Sequence, residues 1–345
     1  MQIQKEVLLK ALEIVKPGLA NKPIIEQTTA FAFIDGTVVT YNDEISISHP
    51  IPELADIRGA IEADQLYKFL SKIKADDKGN IDLSMNEDHE IVVKSGRSKA
   101  GLTLQAEITL PLQEEDFIER YEWAELPEDF TKFLGIAMGS CGKDMSKAIL
   151  TCVHINEEGF IEGADNYRFT FCSLSGGGLP CKTFLLPATS AVNVVKIDPI
   201  EIAEGKGWIH FRNSDDTIIS CRIMADKYPD TREVFEIKGK TIVLPSSTGQ
   251  VLDRAMIFSK RDHALDESVD VSIADRILKV RAESDSGWFE EEVNIKYTDD
   301  PVTFRITPYL LKSILSETTE FTLSNDKSRL KFQGEGWEYV TLLRR

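Results

Sequence analysis

One order of elements, helix then hairpin then helix then hairpin, recurs three times along this chain at a spacing of about 120 residues, a period longer than any solenoid repeat. The first helical segments fall at 5–15, 128–141 and 246–260, each with apolar residues at three-to-four spacing. The third begins Ser246-Ser247, which suits an N-cap. Each is followed by two alternating runs around a short polar turn, the pattern of a hairpin. Those turns are expected at Asp35-Gly36, Glu158-Gly159 and Asp275-Arg276.

A second helix is expected in each copy, at 63–73, 187–197 and 307–317. Pro187 and Pro308 sit in its first turn, where proline is tolerated. A second hairpin follows each time, with turns starting at Asn86, Asn213 and Asn325. The fold class is α+β, with helices set against antiparallel sheets. Joints at 114–127 and around 228–240 divide the chain into expected domains 1–118, 119–236 and 237–345, each long enough to bury its own core.

The chain carries 40 Lys and Arg against 57 Asp and Glu, a formal charge of -17. Such a sum speaks against a general nucleic-acid binder, but its distribution matters more than its total. Six stretches around the helices (5–22, 62–74, 127–147, 186–197, 246–263 and 306–317) hold 15 basic and 10 acidic residues, a net +5. The remainder holds 25 basic and 47 acidic, a net -22. Helices lining one surface would therefore attract phosphate there while the rest of the protein repels it.

Catalytic constellations are not evident. GSCGKD at 139–144 has two residues between its glycines where a phosphate loop needs four, and Asp144 follows the Lys. The five histidines stand apart from one another and from cysteine, so no metal spacing emerges. The five cysteines form no C-x-x-C pair and read as buried free thiols. No apolar run approaches the roughly 18 residues of a membrane span, and the charged N-terminal stretch reads as an amphipathic helix, not a signal peptide. A cytoplasmic protein with neither cofactor nor enzymatic activity is the expectation.

Short stretches then carry a resemblance to a family. NKPIIEQTTAFAF (21–33), GADNYRFTF (163–171), RIMADKYPDTREV (222–234), VLDRAMIFSK (251–260), TPYLLKSIL (307–315) and YVTLLRR (339–345) resemble, in order, segments of the bacterial DNA sliding clamp, the beta subunit of DNA polymerase III. Asn166-Tyr167 replaces the family's usual Gly-His, Leu343 replaces the proline of its closing motif, and Glu233 stands where a basic residue is common.

The resemblance implies three clamp-type domains per chain, each with two helices on two antiparallel sheets. Two chains would close head-to-tail into a homodimeric ring with its helices around double-stranded DNA. Partners would be a replicative DNA polymerase and a clamp loader, with no membrane. Lys22 and Lys147 are the first DNA-facing candidates, followed by Lys10, Lys16, Lys68, Lys72, Lys132, Lys143, Lys196, Arg254 and Lys260. A groove for partner peptides would use Leu150, Asn166, Tyr167, Arg168, Phe169, Pro229, Val234, Val340 and Leu342. The competing reading is a repeat-built interaction or structural protein that never meets DNA.

Overall fold

A computed structural model describes residues 1–23, 25–87, 89–111, 121–263 and 266–344. The expected joint at 114–127 lies partly outside these residues, and the boundary at 118 lies wholly outside them. Six α-helices occur among the described residues: α1 (Lys5–Val15), α2 (Ala63–Lys72), α3 (Phe130–Met138), α4 (Ala188–Ile197), α5 (Thr248–Phe258) and α6 (Pro308–Lys312). The helices that open the three copies bury residues at one spacing, i, i+3, i+4, i+7. These are Leu8, Ala11, Leu12 and Val15 in α1; Phe130, Phe133, Leu134 and Ala137 in α3; and Thr248, Val251, Leu252 and Ala255 in α5. That spacing draws one stripe along a helix, and the stripe seats the helix on its sheet.

The hairpins form at the expected turns. Asp35 and Gly36 both have positive φ, as do Asp275 and Arg276, which gives two-residue turns whose twist matches the strands they join. Asn86 and Asn213 each close the second hairpin of their copy by accepting backbone N–H groups on Oδ1, from Glu90 and from Asp215 and Thr217. In the third copy this task passes to Ser324, whose Oγ accepts from Ser328 and Arg329 at 3.0 and 2.9 Å. Hydrogen bonds from Ser324 and Ser328 hold the Asp326 carboxyl down at a pKa of about 2.

Two details depart from expectation. Ser247 makes no side-chain cap on α5, because its backbone is already helical (φ -75°, ψ -8°) and its hydroxyl does not face the first-turn N–H groups. α6 stops at Lys312, short of 317. The carbonyl of Leu310, which a continuing helix would use, accepts instead from Ser313 Oγ at 3.0 Å and Tyr339 OH at 2.8 Å. The chain then turns on through shorter bonds such as Leu315 N to Lys312 O.

The chain divides into two compact units, residues 1–131 with 179–225, and 132–178 with 226–345. In the first unit a four-stranded sheet runs in the order Gln2–Gln4, Asn80–Met85, Glu90–Ser95, Ser98–Thr103. An eight-stranded sheet runs Gly59–Glu62, Ala30–Ile34, Thr37–Tyr41, Ile45–Pro50, Ile218–Arg222, Trp208–Arg212, Glu201–Glu204, Ala124–Glu125. In the second unit a four-stranded sheet runs Gly287–Asn294, Ile277–Ser284, Val269–Ala274, Val302–Ile306. Its longer sheet runs Cys152–Ile155, Phe160–Ala164, Arg168–Ser173, Trp337–Leu342, Arg329–Gly334, Glu320–Ser324, Gly239–Val243. Compactness groups the chain differently from the repeat because each long sheet continues from the strands of one copy into those of the next. All described pairings are antiparallel.

Both long sheets are joined by the same rule. The third strand of one copy's first sheet pairs with the last strand of the next copy's second sheet: Ile45–Pro50 with Ile218–Arg222, and Arg168–Ser173 with Trp337–Leu342. Applied to the three copies, the rule leaves one strand of each kind without such a partner. These are Ser98–Thr103 and Gly287–Asn294, and each stands at the end of its sheet.

Candidate functional site

The nine groove candidates all lie in the second unit, around one turn and one joint. Asp165 shapes the turn: its Oδ1 accepts from the backbone N–H groups of Tyr167 and Arg168 at 2.7 and 2.9 Å, an Asx arrangement. Its Oδ2 accepts from Arg168 Nε at 3.0 Å, and the guanidinium lies 5.5 Å from the ring centroid of Tyr309. Arg168 is therefore buried with its charge paired, a support for the turn more than a free donor. Tyr167 is left exposed at the tip, while its carbonyl accepts from Leu342 N at 2.8 Å.

Strand pairing assembles the apolar floor. Phe169 stands opposite Val340 and Arg329 opposite Leu342. Val340 is fully buried, whereas Phe169 and Leu342 are half-buried and present apolar surface. Leu150 joins this turn through Gly142, whose N–H donates to the Leu150 carbonyl at 2.7 Å. A Cβ at Gly142 would lie in ordinary contact with the Asp165 Cβ at 3.7 Å. From the other side comes the joint, with Pro229 exposed and Val234 half-buried. Arg329 Nη1 donates to the Val234 carbonyl at 3.1 Å and Lys331 Nζ to the Phe235 carbonyl at 3.0 Å, which ties the joint to the sheet. A separate cleft of about 870 Å³ lies along Phe171, Phe235, Arg329 and Lys331 and contains none of the nine.

Residues outside the expected site support this arrangement: Tyr309, Arg329, Lys331, His154, Glu162 and Tyr228. Only strand alternation, which sets His154 and Glu162 on a shared sheet face, could have pointed to any of them. The thiols nearby are inert, since burial pushes Cys141 up to about 12 and raises Cys152 as well. All five cysteines are buried.

The eleven cationic candidates are all exposed. Lys10, Lys16, Lys22, Lys68, Lys72 and Lys196 belong to the first unit, and Lys132, Lys143, Lys147, Arg254 and Lys260 to the second. They are not equally available. Lys68 pairs with Asp64 at 2.9 Å, one helical turn earlier. Lys16 lies 4.2 Å from the ring centroid of Tyr67, and Lys132 lies 5.7 Å from that of Phe133. Arg254 makes a two-bond fork with Glu291 at 2.8 and 2.7 Å, so its charge is locally neutralised. Lys147 donates to Asn166 Oδ1 at 2.7 Å, a neutral acceptor. That bond also links one DNA-facing candidate to one groove candidate.

Among the described residues no group of three or more His, Cys, Asp or Glu is placed to hold a metal ion. No helix among them is long and apolar enough to cross a membrane.

No family model and no curated protein matches the chain. Solved structures do match over its whole length. The beta chain of DNA polymerase III from Streptococcus pneumoniae TIGR4 covers 100% of this chain and 99% of its own, at 19% identity and a TM-score of 0.81. The DNA polymerase sliding clamp of Bacillus subtilis covers 100% and 98%, at 17% identity and a TM-score of 0.78. The sliding clamp of Pseudomonas aeruginosa, bound to griselimycin, covers 100% and 99%, at 16% identity and a TM-score of 0.79. From its first strand to its last, this chain has the fold of the DNA polymerase III beta subunit, the sliding clamp.

Proposed function

We propose that this protein is a non-catalytic processivity factor of DNA replication: a homodimeric ring that encircles double-stranded DNA and tethers a replicative polymerase. The observation that carries the reading is the sheet-joining rule. Each chain has one unmatched strand of each kind, Ser98–Thr103 and Gly287–Asn294. Pairing each with its counterpart on a second chain applies the rule twice more and closes two chains head-to-tail. The edges suit each other. Gly287–Asn294 carries Glu290, Glu291 and Glu292, which also pair with Lys279, Arg281 and Arg254 of their own chain, and an exposed Trp288. Ser98–Thr103 carries Lys99, and beside it stand Lys94 and Arg97, all exposed.

In this reading the three element repeats are three domains per chain, 1–118, 119–236 and 237–345. Linkage around the DNA is topological, so modest positive charge on the helices suffices and strong phosphate binding is avoided. Lys22 and Lys147 face the duplex, with the other cations contributing where no carboxylate neutralises them. The groove at Phe169, Val340 and Leu342, walled by Leu150, Pro229 and Val234 and edged by Asn166, Tyr167 and Arg168, takes short partner peptides. A clamp loader opens the ring, and the protein works in the cytoplasm.

Retention on circular DNA tests the reading. A clamp loaded on nicked circular DNA stays bound through gel filtration and is lost when the circle is cut. Equal loss from circular and linear DNA would leave the repeat-built interaction protein as the better description.

A further inference from the structure

His154, Glu162, Phe171 and Glu338 stand opposite one another in register on four neighbouring strands of the second unit's longer sheet. The joint segment 228–235 crosses this row. The Tyr228 ring stacks on the His154 imidazole, centroids 4.8 Å apart and planes 13° from parallel. Thr231 Oγ1 lies 3.5 Å from Glu162 Oε1, and the Phe235 and Phe171 centroids are 6.2 Å apart. The row is itself tied together, for His154 Nδ1 is 2.6 Å from Glu162 Oε2 with only 14% and 12% of the two side chains exposed. One carboxylate thus serves the histidine with one oxygen and the joint with the other.

We infer that His154 and Glu162 are positioning residues for the partner groove, fixing Tyr228 and Thr231 on the sheet and thereby setting where Pro229 stands as its wall. The inference rests on the groove reading proposed above. Pro229 is exposed and makes no side-chain hydrogen bond of its own, so its place is set by its neighbours. Tyr228, before it, is buried, and burial raises its hydroxyl pKa, with Cys141 and Glu162 adding to the effect. Thr231, two residues after it, is buried as well. Both anchors meet the same pair. Without His154, Tyr228 loses its stacking platform; without Glu162, His154 and Thr231 lose their shared acceptor. A wall displaced by a fraction of an ångström costs a peptide its apolar contacts.

The test uses the full-length protein and a fluorescein-labelled synthetic decapeptide with a Leu-Leu-Phe anchor between polar flanks, read by anisotropy. His154→Ala and Glu162→Ala are expected to weaken binding roughly tenfold, as loss of a charge-assisted bond does. Glu162→Gln keeps a side chain able to bond both partners and restores affinity to within about twofold of wild type. Leu342→Glu places a charge on the groove floor and abolishes binding. Sedimentation stays unchanged in the His154 and Glu162 variants. Wild-type affinity in both alanine variants, or equal losses in Glu162→Ala and Glu162→Gln, would overturn the positioning role while the groove stands. A Leu342→Glu protein that binds the peptide normally would overturn the groove itself.

Discussion

His210 is buried at 3% exposure in the first unit, its ring stacked on Tyr121 with centroids 4.0 Å apart and its Nδ1 2.8 Å from Ser220 Oγ. A Cβ on Gly205 would come within 2.4 Å of its Nε2, so backbone closes over the second nitrogen. Burial depresses its pKa from 6.5 to about 4, because a charged imidazole there would lose its hydration. The folded protein holds this histidine neutral, and the unfolded chain takes up its proton first. The stability it contributes is therefore complete above pH 6.5 and is lost as pH falls from 6.5 towards 4, to the extent of roughly 3 kcal/mol. His210→Asn keeps a partner for Ser220 and does not titrate. Urea midpoints measured from pH 7.5 to 4 should fall less steeply for this variant than for wild type. Parallel curves would show that His210 does not govern this acid sensitivity.

Among the elements, α5 illustrates how a charge that looks free in sequence is committed in the fold. Arg254 leaves the helix to grip Glu291 on strand Gly287–Asn294, while Phe258 stacks on Phe289 of the same strand at 6.1 Å. Each member of the ion pair shifts the other, the arginine pKa raised and the glutamate lowered. The proposed DNA surface is then carried by cations without such partners. Replacing Lys22 and Lys147 with Ala should reduce the slope of log affinity against log salt by about one per phosphate contact. Arg254→Ala should change it less, and Glu291→Gln, which frees the arginine, should steepen it. A DNA-binding salt titration decides the matter, and a loss in Arg254→Ala matching that in Lys147→Ala would contradict it. The helices, the turns and the recurrence were legible in the sequence because each is written locally, in apolar spacing or in a residue such as Gly36. The commitment of Arg254, the buried pairing of Arg168 with Asp165 and the anchoring of Tyr228 by His154 were not. The Arg254 and Tyr228 partners lie tens of residues away, and only the folded sheet brings them within reach. Asp165 is near Arg168 in sequence, but their burial is set by strands far along the chain.

For the whole molecule, the question is how chains with three repeats would join edge to edge. Within each unit the joining rule is satisfied once, and every chain is left with an acidic edge at Gly287–Asn294 and a basic one at Ser98–Thr103. Unpaired edges invite association, and opposite charges select head-to-tail pairing over pairing of like with like. An assembly leaves no edge unpaired only when it closes, so the charges are the lever that tests closure. Changing Lys94, Arg97 and Lys99 to Glu sets like charges against Glu290, Glu291 and Glu292 at both contacts of the proposed dimer. Changing Glu290 and Glu292 to Lys does the same with the opposite sign. Each variant alone should sediment as a 38.7 kDa monomer at concentrations where the proposed wild-type dimer forms. Mixed in equal amounts, they pair opposite charges again at both contacts, one made of altered edges and one of native edges. The mixture should recover the dimer and its retention on circular DNA. Recovery of the dimer without retention would separate association from encirclement. Dimers of either variant alone at wild-type concentrations would mean that these two edges do not close the ring.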